Sequence, residues 1–197
     1  MSLNVYILEK PTLETPRLIL RTMTAADAPD LREWTPNKAL YKFWGKNPGK
    51  ADKNPELMFA APVKPTKSFH WGVLCKADSK VIGEVWVYLI ESDRMAKMAV
   101  RLSEQYHGRG YATEALRTVV RFCFEKTELK RLWADVDIRN KASCRMLEKC
   151  GFIQEGMIRQ GKMVSTWCDY YLYGLLKGNG GFMLDCIRER DGNNGLF

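Results

Sequence analysis

The segment Gln105-Tyr-His-Gly108-Arg-Gly110-Tyr-Ala112 decides the fold, because it joins a strand pattern to a helix pattern through a glycine-rich turn. Helix N-termini present unpaired backbone N–H groups and the positive end of the helix dipole, and glycine lets the main chain approach an anion and adopt positive φ. The segment therefore predicts an anion-binding loop at 105–112. The alternative is that the two glycines only turn the chain.

Two common phosphate-binding loops do not match this segment. No Gly-Lys-Ser/Thr follows it, which excludes a P-loop. The dinucleotide spacing Gly-x-Gly-x-x-Gly requires a glycine where this chain has Thr113, and no suitable acidic residue follows on a next parallel strand.

The residues on both sides of the loop predict a mixed α/β sheet in one domain. Met95 to Leu102 alternates like a strand, and a helical stripe follows the loop, made of Ala112, Ala115, Leu116, Val119, Val120 and Cys123. Further strand patterns lie at 17–22, 69–76, 80–89, 132–138, 152–159 and 166–176, with helix patterns at 24–34 and 140–150. We expect one domain over 1–177, an irregular arm with short helical pieces at 35–67, and a tail at 178–197 with one short amphipathic piece at 182–187.

Composition indicates a soluble globular protein with an excess of positive charge. Hydrophobic residues make up 46% and charged residues 27% of 197 residues, with no signal peptide and no long apolar run. We therefore expect a cytoplasmic protein that does not enter a membrane. The net charge of +8 favours polyanionic partners, and much of it comes from the arm, although a solvated loop would explain the same lysines: Lys38, Lys42, Lys46, Lys50, Lys53, Lys64 and Lys67.

The cysteines and histidines do not predict a metal site. Six cysteines are scattered without a Cys-x-x-Cys pair, and His70 and His107 are isolated from each other. Reduced, mostly buried thiols are expected. Cys144 adjoins Ser143 but has no local histidine to activate it, so we interpret it as a packed thiol.

Two segments together resemble the GNAT acetyltransferases. Gln105-x-x-Gly108-x-Gly110 is similar to the Arg/Gln-x-x-Gly-x-Gly/Ala element of that superfamily, and Asn140-Lys-Ala-Ser143 through Gly151-Phe152 is similar to its second element. The ribosomal-protein (RimJ/RimL) branch is the closer match, through Leu13-Glu-Thr-Pro-Arg-Leu-Ile-Leu-Arg21, Gly110-Tyr-Ala-Thr-Glu-Ala-Leu116, Glu148-Lys-Cys-Gly-Phe152 and Glu155-Gly156. The resemblance covers about 12–177 and leaves the arm poorly matched.

The resemblance implies a GNAT fold, with a twisted mixed sheet of about seven strands flanked by helices, and acetyl-CoA as co-substrate. It implies that the strand ending at Leu102 splays from the next parallel strand, near Val136, to admit the pantetheine arm, and that a main-chain N–H near Leu102 polarises the thioester carbonyl. No metal is implied. The implied cofactor-binding residues are Leu102, Gln105, Tyr106, His107, Gly108, Arg109, Gly110, Tyr111, Ala112, Asn140 and Ser143.

The implied catalytic residues depart from the superfamily pattern. Leu147 stands where many members have a tyrosine that protonates the leaving thiolate, so Ser143 is the candidate acid, as in the RimJ/RimL branch; helix capping by Asn140 and Ser143 is the alternative. Lys97 stands where members often have glutamate. Glu84 is the candidate base, against the alternative of a solvated or ion-paired carboxylate.

The function implied is acetyl transfer from acetyl-CoA to a primary amine by direct attack, with a peptide or protein N-terminal α-amine as the preferred acceptor. The lysine-rich arm argues against polycationic acceptors and leaves open a small anionic amine or docking on ribosomal RNA. Two other classes remain: a catalytically silent acetyl-CoA-binding protein, suggested by Leu147 and Lys97, and a nucleic-acid-binding module, which lacks any recognised signature. The oligomeric state is open, a dimer included.

Overall fold

The computed structural model describes residues 10–44, 46–59 and 68–178 and contains one eight-stranded sheet. The strands follow the order β1-β2-β3-β4-β5-β6-β8-β7, and every neighbouring pair is antiparallel except β5 and β6. Their bounds are β1 Leu13–Glu14, β2 Leu18–Arg21, β3 Phe69–Cys75, β4 Lys80–Glu91, β5 Met95–Leu102, β6 Arg131–Asp137, β7 Ile153–Met163 and β8 Thr166–Leu176.

Four α-helices accompany the sheet in the described residues: α1 Ala28–Trp34, α2 Lys50–Lys53, α3 Tyr111–Lys126 and α4 Lys141–Lys149. Short 3₁₀ turns lie at Ala25–Asp27, Lys38–Tyr41, Pro55–Met58 and Glu104–Tyr106. None of these helices is long and apolar enough to cross a bilayer. The predicted mixed α/β fold is confirmed, with one strand more than expected, because the dipeptide Leu13–Glu14 pairs with β2.

Helix α3 packs the stripe seen in the sequence against one face of the sheet. Ala115, Leu116, Val119 and Cys123 are each at most 1% exposed, and they lie in a single core with residues of the strands and of α4. Hydrophobic burial of this kind contributes about 25 cal/mol per Å² of apolar surface, so α3 is held chiefly by its packing. The packed helix brings its N-terminus, and the glycine loop before it, to the end of β5.

The arm and α1 cover the opposite face of the sheet. Leu31, Trp34 and Val81 form a second, smaller core there, and the indole N–H of Trp34 donates to the carbonyl of Val81 at 3.0 Å. The arm has short helical turns over 38–41, 50–53 and 55–58, which agrees with the interpretation of its sequence. Gly45, residues 60–67 with Lys64 and Lys67, and the tail expected over 178–197, except Gly178, lie outside the described residues.

Strands β5 and β6 pair only at their first residues and then diverge. The parallel register joins Met95 to Arg131, Ala96 to Leu132 and Lys97 to Trp133, and it ends there although both strands continue. An open gap in the middle of a sheet leaves backbone groups without neighbours, a feature found where a ligand enters the sheet. The splayed pair anticipated near Leu102 and Val136 is therefore present, and it begins at Lys97.

Candidate active site

The glycine loop has the backbone geometry of an anion-binding turn. Gly108 and Gly110 have φ values of +75° and +82°, in the left-handed region, and Gly110 is the residue that caps α3. Within the described part of the chain, no acceptor is present for the backbone N–H groups of residues 108–113. The loop therefore presents a row of donors at the positive end of a 16-residue helix.

Arg17 and Thr15 hold the first turn of α3 through Glu114. The Thr15 hydroxyl donates to Glu114 Oε1 at 2.6 Å, and Arg17 Nε donates to Glu114 Oε2 at 2.6 Å. Arg17 also donates to the carbonyl of Arg109 at 3.0 Å, and its guanidinium lies 4.4 Å from the ring centre of Tyr111. The two segments quoted for the family resemblance, near residues 15–17 and 110–116, thus contact each other, and Arg17 adds a cation beside the loop.

The other predicted loop residues surround these donors. His107 Nε2 lies 2.8 Å from the carbonyl of Leu102, the last residue of β5. The Tyr106 hydroxyl donates to Asp78 Oδ2 at 2.8 Å; burial, then this bond, raises the pKa of the phenol to about 12. Five of the predicted loop residues are exposed to solvent: Gln105, His107, Gly108, Arg109 and Gly110. The cofactor roles of all these residues, Ala112 included, stay predictions.

The gap between β5 and β6 is a cleft of about 100 Å³. The β5 residues that border it are Lys97, Met98, Ala99 and Val100, whereas Leu102 lies beyond it. The remaining walls come from the arm, β4, α3, β6, α4 and the end of β7: Phe43, Trp44, Tyr88, Leu116, Ala134, Asp135, Val136, Asp137, Asn140, Ser143, Met146, Leu147, Met163 and Val164. A narrow, mostly apolar passage through a sheet suits an extended, thin ligand such as a pantetheine arm.

Asn140 and Ser143 both line this cleft at the N-terminus of α4. The side-chain oxygen of Asn140 accepts from the backbone N–H of Ser143 at 3.1 Å, so Asn140 is the helix cap. The hydroxyl of Ser143 makes no hydrogen bond to another described residue, and Leu147 is buried on the same wall. Capping by Asn140 and a free hydroxyl on Ser143 therefore occur side by side, and the catalytic role of Ser143 stays a prediction.

Glu84 is ion-paired and fully buried, outside the cleft lining of the described residues. Arg101 Nε donates to Glu84 Oε2 at 3.0 Å, and His70 Nε2 lies 3.1 Å from Glu84 Oε1. Burial alone would raise the pKa of Glu84, but the bond to His70 and the charge of Arg101 outweigh it, and this pKa lies below its ordinary value. His70 stacks on Trp86, with ring centres 4.8 Å apart, while its strand neighbour Trp71 faces the other side of the sheet.

Arg101 ties the arm to the sheet. Its Nη1 donates to Asp52 Oδ1 at 2.8 Å and also to the Tyr41 hydroxyl. The guanidinium lies between 5.2 and 5.8 Å from the ring centres of four aromatic residues, Trp34, Tyr41, Trp44 and Trp86. Losing one partner of a buried ion pair costs about 3–5 kcal/mol. Arg101 was not identified as a site residue from the sequence. Alternation along β5 places its side chain on the same face as Lys97 and Ala99, but the sequence does not show that the arm packs against that face.

Lys97 and Asp135 form an ion pair on the cleft wall. Lys97 Nζ lies 2.6 Å from Asp135 Oδ2, with side chains 12% and 20% exposed. The family resemblance implies a glutamate at the position of Lys97; in this chain a carboxylate reaches the same part of the cleft from β6. Asp135 was not anticipated. The sequence signal that could have identified it is an acidic residue within a strand whose apolar residues alternate: Leu132, Ala134 and Val136.

The described cysteines are free and buried: Cys75, Cys123, Cys144, Cys150 and Cys168. Cys186 lies outside the described residues. No group of three or more metal-ligating side chains occurs in the ranges that the structure covers.

Comparisons with known proteins agree with this geometry. A family model described as an acetyltransferase (GNAT) domain matches residues 17–153. The chain is 30% identical over 154 residues to "Uncharacterized N-acetyltransferase YoaA" of Bacillus subtilis, covering 76% of this chain and 87% of that protein.

Two solved structures share the fold. The ribosomal-protein-S5-alanine acetyltransferase from Vibrio fischeri has a TM-score of 0.75 at 21% identity, covering 86% of this chain and 98% of that one. A spermidine N-acetyltransferase from Vibrio cholerae, solved with CoA and spermine, has a TM-score of 0.72 at 18% identity, covering 84% and 98%.

Proposed function

The chain belongs to the GNAT acetyltransferase family, and from that premise we propose that it acetylates the N-terminal α-amine of a peptide or protein. Enzymes of this family transfer the acetyl group of acetyl-CoA to an amine. The proposed reaction is a direct attack of the amine on the thioester in a ternary complex, without a covalent enzyme intermediate.

One observation carries the acetyl-transfer part of the proposal: the free amides of the glycine loop lie at the end of the same strand, β5, that opens the cleft. A pyrophosphate held by the loop amides, with Arg17 beside it, would leave the pantetheine arm to enter between β5 and β6. The thioester would then lie near Met98–Val100 on one side and Asn140 and Ser143 on the other. Fixed backbone donors at such a carbonyl stabilise the oxyanion that forms during attack.

Ser143 is the proposed source of the proton for the departing thiolate. Its hydroxyl lines the cleft without a competing partner among the described residues, next to the wall where Leu147 replaces the tyrosine of other members. Glu84, the other predicted catalytic residue, would have to act from within its ion pair with Arg101. We therefore infer that Glu84 and Arg101 act on catalysis indirectly, by holding the arm that forms one cleft wall.

The charge of the arm bears on the acceptor. Lys38, Lys42, Lys46, Lys50 and Lys53 are exposed, and none forms an ion pair within the described ranges. Such a surface disfavours a polyamine, although spermidine acetyltransferases are among the proteins of similar sequence and structure. An α-amine has an ordinary pKa of about 8, so a larger fraction of it is neutral at physiological pH than of a lysine amine, whose pKa is about 10.4.

A second acceptor class is favoured by the rim of the cleft. Lys42 Nζ lies 5.2 Å and the Arg139 guanidinium 6.0 Å from the ring centre of Phe43, and Lys46 Nζ lies 5.6 Å from that of Trp44. Three cations around two cleft-lining aromatics would attract a small amine that carries a carboxylate or phosphate. An acidic peptide would combine an α-amine with the negative charge that these cations attract.

A thermal-shift titration with acetyl-CoA, with ATP and NADPH as polyanion controls, is the first test. A ligand at 100 times its Kd adds about 2.7 kcal/mol, or about 5–10 °C for a domain of this size. A saturable shift with acetyl-CoA alone supports the cofactor site, and release of coenzyme A with peptide and anionic amines then ranks the acceptors. A silent acetyl-CoA-binding protein would shift without turnover, and equal shifts with all three ligands would contradict the proposal and favour polyanion or RNA binding.

A further inference from the structure

The Lys97–Asp135 pair lies where β5 and β6 begin to diverge. Lys97 is in the last register pair, opposite Trp133, and Asp135 is two residues further along β6 on the same face as Trp133. The 2.6 Å contact between Lys97 Nζ and Asp135 Oδ2 therefore spans the narrow end of the cleft. It places a carboxylate inside the gap through which the thioester would pass.

Only one oxygen of this carboxylate is occupied. Asp135 Oδ2 accepts from Lys97, and Oδ1 has no hydrogen bond to any described residue. The neighbouring Asp137, which also lines the cleft, differs: it is 2% exposed, and both of its oxygens accept from Arg139, at 2.9 and 2.6 Å. Asp135 and Asp137 are the carboxylates that line the cleft within the described ranges, so Asp135 is the one with a free acceptor atom.

The groups that face Asp135 come from five elements. On β5 Lys97 is the charged neighbour, and on β4 the phenol of Tyr88 has its pKa raised to about 12 by burial and by the Asp135 charge, so it remains neutral. Leu172 is opposite on β8. The arm and the end of β7 contribute apolar walls, formed by Phe43, Trp44, Met163 and Val164.

Lys97 is held in place by aromatic rings as well as by charge. Its ammonium lies 4.9 Å from the ring centre of Trp133 and 5.7 Å from that of Tyr88. Cation–aromatic contacts of this kind fix the lysine against the sheet. The lysine in turn fixes the rotamer of Asp135 and leaves Oδ1 directed away from the occupied oxygen.

We propose that Asp135 accepts the proton that the acceptor amine loses during acetyl transfer, and that Lys97 is a positioning residue for it. This rests on the proposed acetyl transfer. The neutral amine attacks the thioester carbonyl, a C–N bond forms, and the nitrogen becomes acidic enough to give a proton to Asp135 Oδ1, directly or through one water. The C–S bond breaks with its electrons on sulfur, the thiolate takes the proton of the Ser143 hydroxyl, solvent reprotonates Ser143, and Asp135 returns its proton to solvent.

Steady-state release of coenzyme A from acetyl-CoA and an alanyl tripeptide with a free α-amine tests the proposal. Because a positioned general base contributes about 10²–10⁴-fold, Asp135→Ala should lower kcat at least about 100-fold, with the KM for acetyl-CoA little changed. Added formate, a small carboxylate that fits the space left by the truncated side chain, should restore part of the rate. Lys97→Met should also lower kcat, and Lys97→Arg should recover part of the loss.

Lys76 and Glu14 provide the matched control, since their Nζ–Oε1 distance is also 2.6 Å and neither lines the cleft. Lys76→Met should keep wild-type kinetics. An Asp135→Ala protein that folds and binds acetyl-CoA overturns the proposal if it retains more than a small part of wild-type kcat, or if formate restores nothing.

If Asp135→Ala does not fold, the isosteric Asp135→Asn decides. Loss of turnover with a normal melting temperature supports the proposal, and retained turnover overturns it. If the wild-type protein turns over no amine, the proposed function itself is refuted. If the wild-type protein and the Asp135→Asn variant are both active, only the role of Asp135 is refuted.

Discussion

Replacing Gly108 by alanine separates the binding role of the glycine loop from its role in folding. Gly108 has a φ of +75°, and a Cβ built there meets no heavy atom within 4 Å. Gly178 has a φ of +101° and equally open surroundings among the described residues, but it follows β8 outside the loop and the cleft. Gly178→Ala is therefore a matched control that carries the same type of backbone strain.

The expected magnitudes follow from backbone strain and lost hydrogen bonds. A left-handed conformation costs a residue with a Cβ about 1–2 kcal/mol, so both variants should lose that much stability and melt about 2–8 °C lower. Only Gly108→Ala also places a methyl group where an anion would approach the loop amides. Losing one hydrogen bond to a charged group, worth about 1.5–3 kcal/mol, weakens binding about 10- to 150-fold.

Isothermal titration with acetyl-CoA and thermal melting without ligand measure the two effects separately. We expect equal melting temperatures for the two variants and a large increase in Kd for Gly108→Ala alone. An unchanged Kd in Gly108→Ala would refute the assignment of 108–113 as the pyrophosphate site. Weakened binding in Gly178→Ala to the same extent would show that the effect is general destabilisation.

Four further predictions follow from the same geometry. Ser143→Ala should lower kcat and leave the Kd for acetyl-CoA unchanged, because the backbone N–H that Asn140 caps remains; an unchanged kcat would limit Ser143 to its place in the helix. Arg101→Met should cost about 3–5 kcal/mol in urea unfolding, because it leaves Glu84 buried without its cation; a loss below about 1 kcal/mol would contradict that account. The pKa values of Glu84 and Asp52 are lowered in the folded protein, so the stability that these carboxylates contribute should be present at neutral pH and be lost as pH falls below about 4.5. Urea unfolding from pH 7 to pH 3 measures this loss. An equal loss in a Glu84→Gln, Asp52→Asn double variant would show that other groups cause it. The pKa of the Cys150 thiol is raised to about 12 by burial, so in mass spectrometry it should resist alkylation at pH 8 until the protein unfolds, and rapid labelling of the native protein would contradict its burial.

The site residues predicted from local motifs came from short segments with their own backbone signature. Gly108 and Gly110 form the turn, Asn140 caps α4, and Gly151 follows that helix with a φ of +82°. Each of these depends on contacts within a few residues, so spacing alone is enough to predict it. The family resemblance implied acetyl-CoA as co-substrate, and the resemblance itself was confirmed by the family match over residues 17–153.

The acid–base groups were less accessible to sequence analysis. The sequence leaves Glu84 open as a general base or as an ion-paired carboxylate, and Arg101, 17 residues away, makes it part of a buried ion pair. Lys97 replaces the glutamate that the family resemblance implies, while Asp135, 38 residues further along the chain, places a carboxylate beside it. Either pairing requires knowledge of which strands are neighbours and of the register between them.

The sequence by itself determined the order along the chain of strands β2 to β8 and of the helices between them, the conformation of the glycine loop and the cap of α4, because these follow from hydrophobic period and from local hydrogen bonding. Tertiary structure alone decided where β5 leaves β6, which face the arm covers, and which charges meet. Those outcomes depend on side chains far apart in the chain packing at fixed distances, and one residue of register would move each of them to the other face of the sheet.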